Sequence, residues 1–535
     1  MNIITFILSI ILSLFSISVM SYVALATPIG PWIAPTLVFI TLLCSRFIIR
    51  ISSSNIAYAV SAGSVGGIMA TACAFSFPTI YFLDPILFNE WMRSPLFFSG
   101  MLGGFSFLAG MFGFLVAEAS EKTLLETQQL SFPIGHLIHK MIAAQNQIKK
   151  AYELMIGFCG ALLFSFMQGG LFLHKALIPK VITIFYPCKF LIFSLPRVVV
   201  NMDIAPMIWA IGFVTGHVIA IPLAIGACAN VFFVAPLQKI FFSYVTPMEF
   251  ILAFCSGIVL YITVMSVIGM PQQIIAGVKK GMLNKSHKST YLTSWFCTKS
   301  LTCVAVLTAS LIAFLSYFKF PYYVQIYLII CSIITTYQIA AIAGRIGLAL
   351  LGRFATFVMV PAMLMFNINY VQMVFIATFV EMSGGVAADL LFSRKLALLS
   401  DISRTTMRWY QLLGLIISSA SIGIVFWFLI NHFGLGSSEL FAYRAQSRQL
   451  LIQAQQFDYI VVIIGAIFGL ILQAAKLNPM LVLGGLLMPL DITLGLVAGG
   501  FIALTSSDKE EWYPLWSGVF AGNSLSMLLR AIFRI

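Results

Sequence analysis

Five carboxylates and one imidazole lie within or at the edges of long apolar runs, and they are the side chains best able to do chemistry. Glu118 closes one run, Asp203 opens another, Glu381 and Asp389 share a third, and Asp491 lies in a fourth. His217 sits in the middle of the run that Asp203 opens. Glu381 and Asp389 are eight residues apart, about two helical turns, which puts them on one face of a helix. A carboxylate near the bilayer centre costs roughly 2.5 to 3.5 kcal/mol on insertion scales, so it is kept for structure or for function. On the structural reading Glu118, Asp203 and Asp389 are interfacial, while Glu381, Asp491 and His217 satisfy a hydrogen bond. On the functional reading they carry protons, because imidazole and desolvated carboxylates can change charge near neutral pH. Glu381, which sits deepest, is the first choice for that role, followed by Asp491 and His217. Asp389, beside Arg394 and Lys395, is a candidate for a gating ion pair instead.

Other motifs carry less. His136 and His139 stand three residues apart, but two nitrogens without a third ligand are not a metal site, and a polar helix face explains them. No phosphate loop, HExxH, GxSxG or strand-supported GxGxxG motif occurs, so neither metal nor cofactor is expected. Small residues cluster at Gly63, Gly66 and Gly67, from Gly100 to Gly113, and at Gly484, Gly485, Gly495, Gly499 and Gly500. In lipid they let helices approach closely; alternatively, Gly and Pro break a span and free backbone groups for a ligand. Segment 479–500, with Pro479, Gly484, Gly485 and Pro489, fits the second reading best.

Composition dictates the elements that must position these groups. The 535 residues are 61% hydrophobic and 9% charged, where a soluble protein carries about 25% charged residues. A bilayer-crossing helix takes roughly 20 apolar residues, so sixteen would use about 320. The expected fold is an all-α polytopic membrane protein with spans near 3–26, 32–49, 55–80, 95–119, 151–173, 183–200, 204–236, 247–270, 297–317, 322–342, 354–367, 369–391, 407–431, 456–474, 480–504 and 513–530. The 204–236 run is too long for one straight crossing and is expected to be broken. The unbroken apolar runs exclude an outer-membrane barrel, whose strands alternate. The nine cysteines include no CxxC pair, and most lie inside apolar runs as small hydrophobes. The first run lacks a basic flank and is long enough to span, so it reads as an uncleaved helix rather than a signal peptide.

The net charge of +13 comes from basic residues scattered between apolar runs, the mark of cytoplasmic loops rather than of nucleic-acid binding. The groups Arg46 and Arg50; Lys122, Lys140, Lys149 and Lys150; Lys279, Lys280, Lys285 and Lys288; and Arg394, Lys395, Arg404 and Arg408 all follow even-numbered spans. Both termini and the loops 120–150 and 271–296 are therefore expected in the cytoplasm, with Lys175, Lys180 and Arg444 as exceptions. An offset of 273 residues aligns Pro206 with Pro479, Met207 with Met480, Gly212 with Gly485, Ile219 with Ile492, Leu223 with Leu496 and Gly226 with Gly499. Both segments are seventh in a set of eight, which predicts two parallel eight-helix repeats, 1–290 and 291–535, with a substrate near the midplane between them.

Several stretches resemble one family. Gln128-Gln129-Leu130-Ser131-Phe132-Pro133-Ile134-Gly135 resembles the L-x-[FY]-P-x-G segment of the oligopeptide transporter (OPT) family. Gly212-Phe213-Val214-Thr215-Gly216, with Gly226 and Pro236, is similar to its glycine-rich seventh helix. Ala387-Ala388-Asp389-Leu390-Leu391 with Arg394-Lys395 resembles its A-x-D-L-x-x-D-x-K-x-G stretch, and Gln411-Leu412-Leu413-Gly414 its Q-L-x-G. The second Asp and the Gly of the third motif are missing, as is the NPGPFN segment of fungal and plant peptide carriers, so the bacterial branch fits better. The resemblance implies a sixteen-helix carrier in the cytoplasmic membrane with proton-coupled symport of short peptides or peptide-like compounds. It adds Pro133, Gly135 and Gln411 to the candidate residues. Uptake of a metal–chelator complex is the alternative. An intramembrane transferase is disfavoured, because loops 120–150 and 433–455 hold no recognisable catalytic set.

Overall fold

The computed structural model describes residues 3–26, 32–47, 51–144, 148–169, 177–179, 181–185, 200–251, 253–258, 260–262, 265, 299–437, 440, 442–453, 458–487, 490–505 and 509–533. They form an all-α polytopic membrane protein. Among the described residues seven helices are long and apolar enough to cross a bilayer: Ile3–Leu25, Ser53–Leu83, Pro95–Thr127, Ala220–Phe241, Tyr322–Ile346, Tyr370–Leu399 and Arg404–Phe433.

In chain order the first helices are α1 (Ile3–Ala26), α2 (Ala34–Phe47), α3 (Ser53–Ser76), α4 (Thr79–Leu83), α5 (Pro85–Arg93), α6 (Pro95–Glu121), α7 (Pro133–Ala144) and α8 (Ile148–Gly169). A hairpin of β1 (Val181–Phe185) and β2 (Val200–Asp203) precedes α9 (Pro206–Thr215), α10 (His217–Ala229), α11 (Ala235–Phe241) and α12 (Pro247–Ile262). Then come α13 (Lys299–Tyr317), α14 (Tyr322–Ile346), α15 (Leu351–Met365), α16 (Tyr370–Leu399), α17 (Arg404–Phe433) and α18 (Tyr443–Gln453). The last are α19 (Tyr459–Ala474), α20 (Pro479–Leu487), α21 (Leu490–Thr505) and α22 (Lys509–Phe533).

α16 is the central helix, with α3, α6, α14 and α15 packed around it and α17 against α3 and α6. Its start is fixed by a reciprocal cap: the Asn369 side chain accepts from the Gln372 N–H, and the Gln372 side chain accepts from the Asn369 N–H. Small residues bring the neighbours in. A methyl group on Gly113 of α6 would lie 2.4 Å from the Ser383 carbonyl of α16, and one on Gly414 of α17 would lie 2.2 Å from that of Ala62 in α3. A second group pairs α8 with α22, α9 with α21 and α10 with α20, and α2 and α7 bridge the two groups.

Contacts also fix helix directions. Ser64 and Ser76 of α3 meet Asp389 and Glu381, so α3 and α16 are antiparallel. Gly113 faces Ser383 and Glu121 pairs with Arg394, so α6 and α16 are parallel. The ends of α6 and α16, the start of α17 and all of α7 thus share one end of the bundle. It carries Lys122, Lys140, Arg394, Arg404 and Arg408 and is termed the basic end. Leu12, Ile17 and Met20 of α1 lie beside Gly63, Gly66 and Gly67, so α1 runs parallel to α3 and starts at the basic end.

The C-terminus lies elsewhere. α8 leaves the basic end after α7, and α22 runs parallel to it, with Gly518 on Leu154 and Gly522 on Phe158. Lys140 of α7 sits over the Tyr513 ring, 5.6 Å from its centroid, so α22 starts at the basic end and finishes at the far one. By these contacts Ile3 stands at the basic end and Phe533 at the far one. Most of the run 183–200, expected to be the sixth span, lies outside the described residues. At its two edges Val181–Phe185 pairs antiparallel with Val200–Asp203, and Phe185 faces Val200. The β-branched Val181-Ile182-Thr183-Ile184 suits a strand.

The two expected broken spans are re-entrant. α9 to α11 follow the hairpin at the far end and return there, where the Tyr244 hydroxyl after α11 donates to Asp458 ahead of α19. Gly216, with φ of 72°, makes the turn between α9 and α10 in a backbone region that favours glycine. α18 packs on α4 at the far end, α19 runs inward from it, and α20 and α21 lead to the start of α22 at the basic end. The two broken segments therefore enter from opposite ends and meet.

Candidate functional site

Glu381 and Asp389 both face α3, but in different settings. Glu381 is fully buried and its Oε1 accepts from Arg448 Nη2 at 2.7 Å. Arg448 is itself buried, and the same Nη2 donates to the Gly352 carbonyl at 3.0 Å. Ser76 completes the set, donating to Glu381 Oε2 and accepting from Arg448 Nη1. The network joins α3, α15, α16 and α18. Thr79 donates to the Ala445 carbonyl and Gln449 to that of Phe82, which holds α18 against α4.

Asp389 lies about 12 Å farther along α16 toward the basic end. It is buried, and its Oδ2 accepts from the Ser64 hydroxyl at 2.7 Å. It makes no ion pair among the described residues. Arg394, its expected partner, is taken by Glu118 at 3.0 Å and Glu121 at 2.9 Å. Gln411 orients that guanidinium, accepting from Nε at 3.3 Å while donating to the Leu390 carbonyl at 3.0 Å. Arg408 reaches the same two carboxylates at 2.9 Å each, and the half-exposed Arg404 pairs with Glu126. Glu118 is thus buried and ion-paired. With Glu121 it fastens α6 to α16 and α17 at the basic end.

The re-entrant segments meet through glycines. Ideal methyl groups on Gly212 and Gly485 would lie 2.1 Å from the carbonyls of Leu496 and Leu223. On Gly226 and Gly499 they would lie 2.1 and 2.2 Å from those of Val482 and Trp209. Each contact has a counterpart displaced by 273 residues, the offset found in the sequence. Gly495 and Gly500 pack on Asp203 and Ala220 in the same interface. Asp203 closes the turn ahead of α9, its Oδ1 accepting from the Ala205 N–H at 2.7 Å. Asp491 stands in the first turn of α21, partly exposed and apart from Glu381 and Asp389 in the chain's packing. His217 opens α10; its side chain, and all of Pro489, lie outside the described residues, while Gly484 falls within α20. Pro133 starts α7, and Gly135 brings that helix within 2.6 Å of the Phe392 carbonyl, measured from its ideal methyl position.

At the basic end a cavity of about 390 Å³ is lined by Ser53, Tyr58, His139, Ser400, Asp401 and Ser403, among others. His139 Nδ1 bonds the Ser400 hydroxyl at 2.8 Å, and burial, with the Lys140 charge, pushes its imidazole below the ordinary value. No group of metal ligands is found among the described residues. Sequence reasoning missed Arg448, Ser76, Ser64, Glu121 and Arg353. The one available signal was Arg444, a basic residue on the side where the charge asymmetry forbids it.

A family profile described as OPT oligopeptide transporter protein matches residues 1–533, and the chain belongs to that family. No curated protein matches the chain. It is accordingly a multi-pass membrane protein of a transporter family.

Proposed function

We propose, from its membership of this family, that the protein is a secondary active transporter moving short peptides or peptide-like compounds across the cytoplasmic membrane together with protons. The observation that carries the reading is the pair of buried acids on α16, one balanced by a cation and one held by a hydroxyl alone. A bare charge at Asp389 would be costly in apolar surroundings, and a carboxylic acid hydrogen-bonded to Ser64 avoids that cost. At Glu381 a proton would cancel the charge that holds Arg448, so taking up a proton and loosening α18 become one event. Asp389 is therefore the leading proton carrier and Glu381 the group linking protonation to the far end, with Asp491 and His217 behind them.

The pathway runs where the two re-entrant segments meet. Irregular backbone is tolerated at membrane depth where protein buries it or where it lines an aqueous cavity. The matched glycine contacts support a repeat of 273 residues relating the halves 1–290 and 291–535. Because these two segments enter from opposite ends, an axis in the membrane plane relates them, whereas α6 and α16, which the same offset aligns, run parallel. The basic end belongs in the cytoplasm by charge asymmetry, which puts the N-terminus inside and the C-terminus outside.

The test is uptake of short peptides into proteoliposomes with and without an outside-acid proton gradient. Asp389→Asn and Glu381→Gln mimic the protonated forms and should lose uphill accumulation while keeping counterflow. Full pH-driven accumulation in both variants would remove these carboxylates from the coupling.

A further inference from the structure

Asp389 has an apolar side and a polar side. One turn toward the far end, Ile68 of α3 and Leu351 of α15 press on Gly385 and close the seam between α3 and α16. Toward the basic end the seam carries hydroxyls. The Ser64 hydroxyl has one proton and two acceptors, Asp389 Oδ2 at 2.7 Å and the Ser61 carbonyl at 3.2 Å. With Asp389 ionised, it donates to the acid. With Asp389 protonated, the acid becomes the donor and the hydroxyl turns its proton to Ser61, one step nearer the basic end. The Ser61 hydroxyl is buried and bonds to no described residue. Tyr58 comes three residues before it, and residues three apart on a helix are neighbours. Side chains tilt toward the start of a helix, which for α3 is the basic end, and Tyr58 lines the cavity there. From Ser64 to Tyr58 the helix rises only about 9 Å.

The cavity, of about 390 Å³, has hydroxyls of Ser53, Ser54, Tyr58, Ser400 and Ser403 in its wall and is roomy enough for several waters. His139 of α7 stands in the same wall, half-buried. Its Nδ1 is held by Ser400 at 2.8 Å, which leaves Nε2 to exchange protons with the cavity. The titratable and charged groups around it include Tyr58 of α3, Lys395 of α16 against Gly135, and Asp401 in the turn before α17. Lys140 of α7, over Tyr513 of α22, is its neighbour in the chain. Burial, and then the Lys140 charge, hold the imidazole below its ordinary value, so it is neutral at pH 7 and able to accept.

We propose that this cavity is the port through which the proton carried by Asp389 reaches the cytoplasm, and that His139 is the relay that receives it. The inference rests on the reading of Asp389 as the proton carrier and adds the route and the acceptor. The proton leaves the Asp389 carboxyl, which becomes a carboxylate. It passes along the hydroxyls of Ser64, Ser61 and Tyr58, each accepting one proton and giving up its own, and cavity water completes the chain. Neutral His139 takes it on Nε2, becomes an imidazolium, and gives it to cytoplasmic buffer.

The experiment adds a mixture of two- to four-residue peptides, under an outside-acid gradient, to proteoliposomes of the full chain, with a pH dye in the lumen reading proton entry. His139→Ala should slow peptide-driven entry roughly tenfold, less than the ~100-fold or more that a positioned proton carrier supplies, because cavity water remains. It should keep counterflow. Imidazole, which fits the space left by the side chain, should restore most of the rate, and pyrazole, alike in shape but scarcely basic, should not; the unmodified protein with the same additions sets the baseline. Ser61→Ala and Tyr58→Phe, which remove hydroxyls alone, should also slow proton entry and keep counterflow. Undiminished entry in His139→Ala, or slowing that imidazole leaves unchanged, would overturn the relay. Normal entry in both hydroxyl variants would overturn the route. In either case Asp389 stays the carrier so long as Asp389→Asn still loses accumulation. If peptides move no protons through the unmodified protein, the proton-coupled reading falls and this inference with it.

Discussion

Replacing Glu381 by Gln tests whether the Glu381–Arg448 pair joins α18 to the bundle. The substitution keeps size and the bond from Ser76 but leaves Arg448 without its anion at a site where 7% of the side chain is exposed. Removing one partner of a buried pair costs about 3–5 kcal/mol, because the survivor is an uncompensated charge. Arg448 retains the Gly352 carbonyl and Ser76, which puts the expected loss at the lower end, about 3 kcal/mol. Adding Arg448→Gln removes the stranded cation and should restore about 2 kcal/mol, a coupling within the range for residues in direct contact. The assay is equilibrium unfolding of the four proteins of the cycle in lipid bicelles, with hydrogen exchange reporting α18 separately. The single Glu381 variant should speed exchange in α18 more than in α3 or α16, because two hydrogen bonds, from Thr79 and Gln449, are what then tie α18 to the α4 segment. A loss below about 1 kcal/mol, or a double variant as unstable as the sum of the singles, would show that the pair does not hold the helix.

Three further outcomes follow from the geometry. Leu at Gly212 or Gly485 drives a side chain into a backbone carbonyl 2.1 Å from the ideal methyl position, so each should abolish uptake, while Leu at the open Gly104 should not; normal uptake in both would put the pathway elsewhere. Single cysteines near Ile3 and Phe533 in a Cys-free background should label from opposite sides of sealed vesicles, and labelling from one side would refute the helix directions. His139 is held below its ordinary value of 6.5, so the folded state binds fewer protons than the unfolded one beneath that pH and stability rises with pH there. Its contribution should be complete above about pH 6.5 and fade as acid protonates the folded imidazole, and His139→Gln should flatten that part of the stability profile.

The class of fold was legible because apolar run length is a strong signal: the long helices α1, α3, α6, α14, α16 and α17 fall where sixteen spans were expected. Short strands were not legible. At the edges of the run 183–200 the chain forms a pair of short strands, and hydropathy alone cannot separate these from the ends of a helix. The glycine spacing itself survived, because Gly212, Gly226, Gly485 and Gly499 answer to backbone approach, which a sequence records directly. Partners were the least legible part. Glu381 and Asp389 were visible as acids in an apolar run, but which of them has a cation depends on α18, whose polar residues read as a loop, and on Glu118 and Glu121 drawing Arg394 away. The pairing inverts for that reason: the deeper acid is the paired one, and the one flanked by basic residues forms no ion pair among the described residues. In a membrane protein the spacing of charges along one helix thus says which groups share a face, and the neighbouring helices decide which of them is neutralised.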